Sequence, residues 1–212
     1  MKALHPDQPA LILASGSPRR LQLCRRIGFE PLVYISSVEE QRASDEDPVS
    51  YARRLAAEKA ADVAAKLVDE PTLPGWILSA DTIVVHEHDV LEKPADPAEA
   101  RSMLHRLSGE KHVVITAFCW LWRAPAGGEA KRKKVVRDVR ASVWLRELDD
   151  EMIDRYVASG EPMDKAGSYG IQDVGSVLVR RVEGSFYCVV GLPVCEVVET
   201  LQELSGLESY PF

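Results

Sequence analysis

An α/β fold is what this sequence predicts, and three observations predict it. Short apolar runs alternate along the chain with segments whose apolar residues recur at helical spacing. The first such pair, residues 10–27, passes from strand to helix through the small residues Ser15, Gly16 and Ser17. Residues 76–85 form a continuous apolar run, as a central strand buried on both faces requires.

Taken in order, a polar lead over residues 1–9 gives way to a strand at 10–15 and a helix from Pro18 to about Ile27. Ser17 is its expected N-cap, Pro18 suits its first position, and Gly28 stops it. The unpaired N–H groups of the first turn, with Ser15 beside them and Arg19 and Arg20 on the same helix, suit an anion site; the alternative is an ordinary strand-to-helix turn with solvated arginines. It lacks the Gly-Lys-Ser/Thr of a P-loop. A second extended run at 31–36 leads to Glu39 and Glu40, and Asp47-Pro48 opens the longest helix, running to about Val68 with Ala52, Leu55, Ala56, Ala60, Val63 and Leu67 as its apolar stripe. Lys59 falls inside that stripe, so it either snorkels to solvent from the margin or meets an anion.

After a turn at 71–75, the apolar run at 76–85 is interrupted by Asp81. A buried carboxylate needs a metal, a cation or a functional pocket; the alternative is a strand that ends at Ala80. His86 and His88 lie on the same side of an extended segment and suit a metal pair, but a hairpin tip accounts for them too, since no third ligand stands nearby. Lys93 follows in Glu92-Lys93-Pro94, and Asp96-Pro97 opens a helix ending near Gly109. Two β-rich runs, 111–123 and 131–145, flank a loose connection at 124–130. The basic cluster at 131–134 reads as a solvated strand edge. A helix capped by Asp149 stops at Gly160. Residues 161–175 read as a long loop, strands are expected near 176–182 and 186–190, and a last helix begins at Pro193.

Composition bounds the function. The formal net charge is -7, which argues against a nucleic-acid partner and leaves an anionic small molecule bound in a local basic pocket as the better one. The cysteines at 24, 119, 188 and 195 form no Cys-x-x-Cys pair, and three sit in apolar runs, as free thiols of a reducing compartment do. No run is long enough for a membrane span and no signal-peptide core is present, so the expected location is cytoplasmic.

Ser15, Arg19, Arg20, Glu40, Lys59, Asp81 and Lys93 together suit a triphosphate site. Its cations would hold phosphate oxygens, and its carboxylates would hold a divalent cation, Mg²⁺ or Mn²⁺. Leu-Ala-Ser-Gly-Ser-Pro-Arg-Arg at 13–20, Ala-Asp-Thr at 80–82, Glu-Lys-Pro at 92–94, Leu-Ser-Gly at 107–109 and Asp-Lys-Ala-Gly-Ser-Tyr-Gly-Ile-Gln at 164–172 resemble the Maf family of nucleoside triphosphate pyrophosphatases. The resemblance spans residues 10–205 as one domain, with 1–9 as a lead and 206–212 as a tail.

It implies an elongated mixed β-sheet flanked by helices, with two lobes around a cleft, similar to the inosine-triphosphatase type. It also implies hydrolysis of a nucleotide to the monophosphate and pyrophosphate with a divalent metal. Carried over to this sequence, it makes Asp81 the proton acceptor and a catalytic residue with Lys59 and Lys93, places Ser15, Arg19 and Arg20 on the phosphates, and sets Glu40 beside the metal with Asp81. Arg19, Thr82 and Gln172 match the subgroup acting on dTTP and UTP, and the Gln172 amide offers the donor and acceptor that the O4 and N3–H edge of thymine or uracil requires. Asp173 departs from that subgroup, which usually carries glycine there. The resemblance brings two alternatives: a house-cleaning pyrophosphatase for modified purine triphosphates, and a nucleotide-binding regulator of cell division. A homodimer is compatible with all three.

Overall fold

The computed structural model describes residues 10–67, 75–124 and 133–205. The expected lead, the turn at 71–74, the helix end at Val68, the connection over 125–130, Lys131 and Arg132, and the tail lie outside them. In chain order the elements are β1 (Ala10–Leu13), α1 (Pro18–Arg26), β2 (Leu32–Val33), α2 (Pro48–Lys66), β3 (Gly75–His86), β4 (Asp89–Leu91), α3 (Pro97–Leu107), β5 (Lys111–Arg123), β6 (Lys134–Leu145), α4 (Asp150–Ala158), β7 (Val179–Gly184), α5 (Phe186–Val190) and α6 (Val194–Ser205). Three 3-10 turns, Glu161–Asp164, Ala166–Ser168 and Val174–Leu178, fill the stretch between α4 and β7.

The described strands form one mixed sheet in the order β2-β1-β3-β5-β6-β7, with β4 paired to β3. β1 lies parallel to β2 and to β3, whereas β4 is antiparallel to β3 and β7 to β6. Local chemistry starts the helices. The side chains of Asp47, Asp96 and Asp149 accept from the backbone N–H groups of Ser50, Glu99 and Met152 at 3.0, 2.9 and 2.8 Å. Pro18, Pro48 and Pro97 each begin a helix directly after a capping residue.

The chain divides into two compact units. The first takes in residues 1–81, 117–138 and 191–212. Its core holds the fully buried Ile12, Leu13, Leu55, Ile77 and Leu78, and Trp120, whose Nε1 donates to the Val197 carbonyl at 2.9 Å. The second comprises residues 82–116 and 139–190 and is built around Val84, Leu104, Leu107, Val143, Leu145 and Ile153.

The structure corrects the sequence reading in three places. Residues 186–190 form helix α5, not a strand: Ser185 Oγ accepts from the Cys188 N–H at 3.2 Å and caps a turn that β-branched composition would otherwise extend. β7 begins only at Val179, because Val174–Leu178 is a 3-10 turn. The run at 31–36 contributes only Leu32 and Val33 to the sheet, opposite Ile12 and Leu13. The hairpin-tip reading of His86 and His88 agrees with the structure: they flank a tight β3–β4 hairpin in which Glu87 takes a positive φ of 55°, and among the described residues no group of three or more metal-ligating side chains exists.

Candidate active site

β3 continues through Asp81, so the carboxylate lies within a buried strand rather than in a turn after Ala80. The ladder to β1 ends at Leu78 and the ladder to β4 starts at Val84, so Asp81 and Thr82 fall between the two. Ser79 Oγ donates to the Ala56 carbonyl of α2 at 2.5 Å, docking the strand one helical turn from Lys59. Two residues on and on the same face, Asp81 Oδ1 receives Lys59 Nζ at 2.6 Å. Lys59 does not snorkel. It is 8% exposed, Asp81 is 5% exposed, and the same ammonium donates to Glu40 Oε1 at 2.6 Å. The α2 stripe thus buries a cation because two carboxylates meet it.

Ser17 caps α1, accepting from the Arg20 N–H at 3.5 Å. Ser15 Oγ accepts from the Ser17 N–H at 3.2 Å and from Arg20 Nη1 at 3.3 Å, so the serine shapes the turn and fixes the arginine. Arg20 Nε donates to the Gly191 carbonyl at 2.9 Å, and Gly191 has a φ of 113° that glycine tolerates. Burial pulls the Arg20 guanidinium below its ordinary value; the negative charges of Asp81 and Glu40 pull it back up, and the neighbouring Arg19 pulls it down. Arginine keeps its charge under such opposing influences. Ser15, Arg20, Glu40, Lys59 and Asp81 therefore form one charged cluster, two cations against two carboxylates, with Arg19 beside it on α1.

Thr82, Lys93 and Gln172 belong to the second unit. Lys93 is exposed next to Glu92, whose carbonyl accepts from the Gly167 N–H at 3.1 Å. Gly167, at a φ of 69°, presses on Val84, which a Cβ would meet at 2.9 Å. Thr82, the neighbour of Asp81 in the chain, turns to a different partner, as strand alternation requires. Its Oγ1 lies 2.9 Å from Thr116 Oγ1 on β5. Thr116 donates its only hydroxyl proton to the Cys188 carbonyl at 2.7 Å. In the threonine pair Thr82 is thus the donor, and what its oxygen offers elsewhere is a lone pair.

Gln172 lies between Gly170 and Gly175. Asp173, with a φ of -99°, stands outside the left-handed region that favours glycine. The sequence reading assigns no individual role to Thr116, Tyr156, Glu161 or Gly191, although Glu161 opens the loop it expects at 161–175. Each acts through a partner remote in sequence or through a backbone carbonyl, and no local pattern marks such a role.

The chain matches the family model described as Maf-like protein over residues 10–204. A protein of Syntrophus aciditrophicus (strain SB) named dTTP/UTP pyrophosphatase is 41% identical over 93% of this chain and 91% of its own length. Proteins of the same name from Vibrio cholerae serotype O1 and Geobacter metallireducens are 43% and 42% identical, over 91% and 95% of this chain and 97% and 100% of their own. The solved structure titled "The structure of the Staphylococcus aureus Ham1 protein" aligns over 94% of this chain and 100% of that one at 12% identity, with a TM-score of 0.44. A match of this extent, with relatives this similar along nearly their whole length, shows that the chain belongs to the Maf family.

Proposed function

We propose that this protein hydrolyses dTTP and UTP to the monophosphate and pyrophosphate. The observation that carries the reading is the Lys59 bridge between Asp81 and Glu40 beside Arg20, in a chain whose relatives bear the name dTTP/UTP pyrophosphatase. A binding module has no need of a carboxylate in a buried strand with its own buried lysine.

Asp81 accepts a proton from the water whose oxygen attacks the α-phosphorus. As the new P–O bond forms, the bond to the bridging oxygen breaks and pyrophosphate departs. Lys59, Arg20, Arg19 and Lys93 offset the charge that develops on the phosphate oxygens. A Cβ at Gly16 would make ordinary van der Waals contact, its nearest neighbour among the described residues being the Ile35 side chain at 3.5 Å. The missing side chain leaves the first-turn N–H groups of α1 open to a close-approaching phosphate.

The donor set suits a hard divalent cation. Mg²⁺ is commonly held by one or two carboxylates with waters and substrate phosphates, and Asp81 and Glu40 supply two. Such an ion, Mg²⁺ or Mn²⁺, neutralises phosphate charge when bound. Thr82 as an acceptor matches the N3–H donor that uracil and thymine present and cytosine lacks, and Gln172 serves the remaining edge. All four cysteines are free thiols, three of them buried, which supports a cytoplasmic setting. No helix among the described residues is long and apolar enough to cross a membrane.

The test is a pyrophosphate-release panel over the canonical triphosphates and modified purine and pyrimidine analogues, with and without divalent metal. Preference for dTTP and UTP in kcat/KM is expected. Preference for a modified purine triphosphate overturns the substrate, and absence of turnover with any of them overturns the enzyme.

A further inference from the structure

The segment carrying Gln172 is closed at its neck. Glu161 Oε1 accepts from the Gly175 N–H at 3.1 Å, and its Oε2 accepts from the Val174 N–H at 3.0 Å. Tyr156 Oη, from α4, donates to Glu161 Oε1 at 3.0 Å and accepts from the Gly170 N–H at 2.9 Å. One phenol and one carboxylate thus hold three backbone amides from the two sides of the neck. The two sides also touch. A Cβ on Gly175 would stand 2.4 Å from the Gly170 carbonyl oxygen and 2.4 Å from Tyr156 Oη, and one on Gly170 would stand 2.9 Å from Glu161 Oε1. The chain rises from Gly170, passes Ile171, Gln172 and Asp173 and returns at Val174, which is exposed. Lys165 braces the base, its Nζ donating to the Glu161 carbonyl and to Asp164 Oδ1, both at 2.7 Å.

We infer that Tyr156 and Glu161 are positioning residues that fix Gln172 for base recognition. Both roles rest on Gln172 reading the base. Ordering a backbone costs conformational entropy, and a loop that is loose before binding charges that cost against affinity. A neck held by the buried Tyr156 and the half-buried Glu161 meets the cost during folding, so the amide of Gln172 is presented in one orientation to each incoming base. A packing role alone would also stabilise the fold, but it would leave the choice between bases untouched.

The experiment compares Tyr156→Phe, Glu161→Gln and Gln172→Leu in the full-length protein, measuring kcat and KM for dTTP and CTP alongside thermal unfolding. Tyr156→Phe is expected to lower kcat/KM for dTTP about tenfold or more, mainly through KM, and to move the dTTP:CTP ratio towards that of Gln172→Leu. Combined with Gln172→Leu, it should change the ratio no further. An unchanged ratio in Tyr156→Phe and Glu161→Gln, with only the melting temperature lowered, overturns the positioning role. An unchanged ratio in Gln172→Leu instead overturns the reading of Gln172, and the positioning role with it. If Glu161→Gln does not fold, hydrogen exchange in Tyr156→Phe decides. Faster exchange at the Val174 and Gly175 amides is expected, and protection equal to wild type overturns the role.

Discussion

Lys59 Nζ donates to Asp81 Oδ1 and Glu40 Oε1 at the same distance, 2.6 Å, from inside the apolar stripe of α2. The stripe alone suggests that an uncharged side chain would be accepted there, but the pairing reverses that expectation. Lys59→Met leaves the Asp81 carboxylate buried without its closest cation, and breaking a buried pair from one side costs roughly 3 kcal/mol or more. Adding Asp81→Asn removes the stranded charge, so the double variant should unfold at higher denaturant than Lys59→Met alone. Chemical denaturation of the three variants at neutral pH measures this. Additive losses would mean that the two side chains are not coupled.

Asp81→Asn on its own separates chemistry from fold. The amide keeps the shape of the carboxylate and can still accept from Lys59, while Glu40 continues to balance the ammonium. Turnover of dTTP should fall roughly 100- to 10,000-fold, because an amide cannot take the proton of the attacking water. Steady-state kinetics at saturating substrate provide the check. Retention of a tenth or more of wild-type kcat would remove Asp81 from the base role.

Local signals in the sequence were legible where the structure uses local chemistry. Asp47, Asp96 and Asp149 cap the helices they precede, and Asp81 and Lys59 announce themselves as charges in apolar runs. That these two meet each other follows only from the docking of α2 on β3. Residues 186–190 misled because Phe-Tyr-Cys-Val-Val has the composition of a strand, whereas the hydroxyl of Ser185 decides the backbone. Thr116 was illegible for a different reason. Its meaning lies in a carbonyl 72 residues away, at Cys188, and in the order in which hydroxyl protons are passed along.

That order can be tested. In Thr116→Val the shape of β5 is kept, but Thr82 loses the acceptor that takes its proton. Its hydroxyl can then turn and donate to the N3 acceptor of cytosine. The dTTP:CTP ratio of kcat/KM should fall about 5- to 100-fold, the range expected when one buried polar mismatch is relieved. Thr116→Ser retains the proton relay and should restore the ratio. Equal ratios in wild type and Thr116→Val would show that Thr82 does not choose between the bases.

His112 sets a pH limit on the fold. It is 2% exposed, its Nε2 lies 2.7 Å from Tyr169 Oη, and its Nδ1 has no hydrogen-bond partner among the described residues. A second proton on the ring would have to sit on a buried nitrogen with nothing to receive it. Burial, with a smaller contribution from His86, accordingly brings the imidazole down from its ordinary value of 6.5 to about 4. In the unfolded chain the same ring protonates near 6.5, so between about pH 6.5 and 4 the unfolded state binds more protons, and stability rises with pH. The contribution is intact above 6.5 and lost progressively as the pH falls towards 4, amounting to about 2 to 3 kcal/mol by pH 4.5. In His112→Gln, which cannot protonate, the fall in stability from pH 7 to pH 4.5 should be smaller than in wild type by about that amount. Urea unfolding at the two pH values measures the difference, and an equal fall in both proteins would show that His112 is not the group responsible.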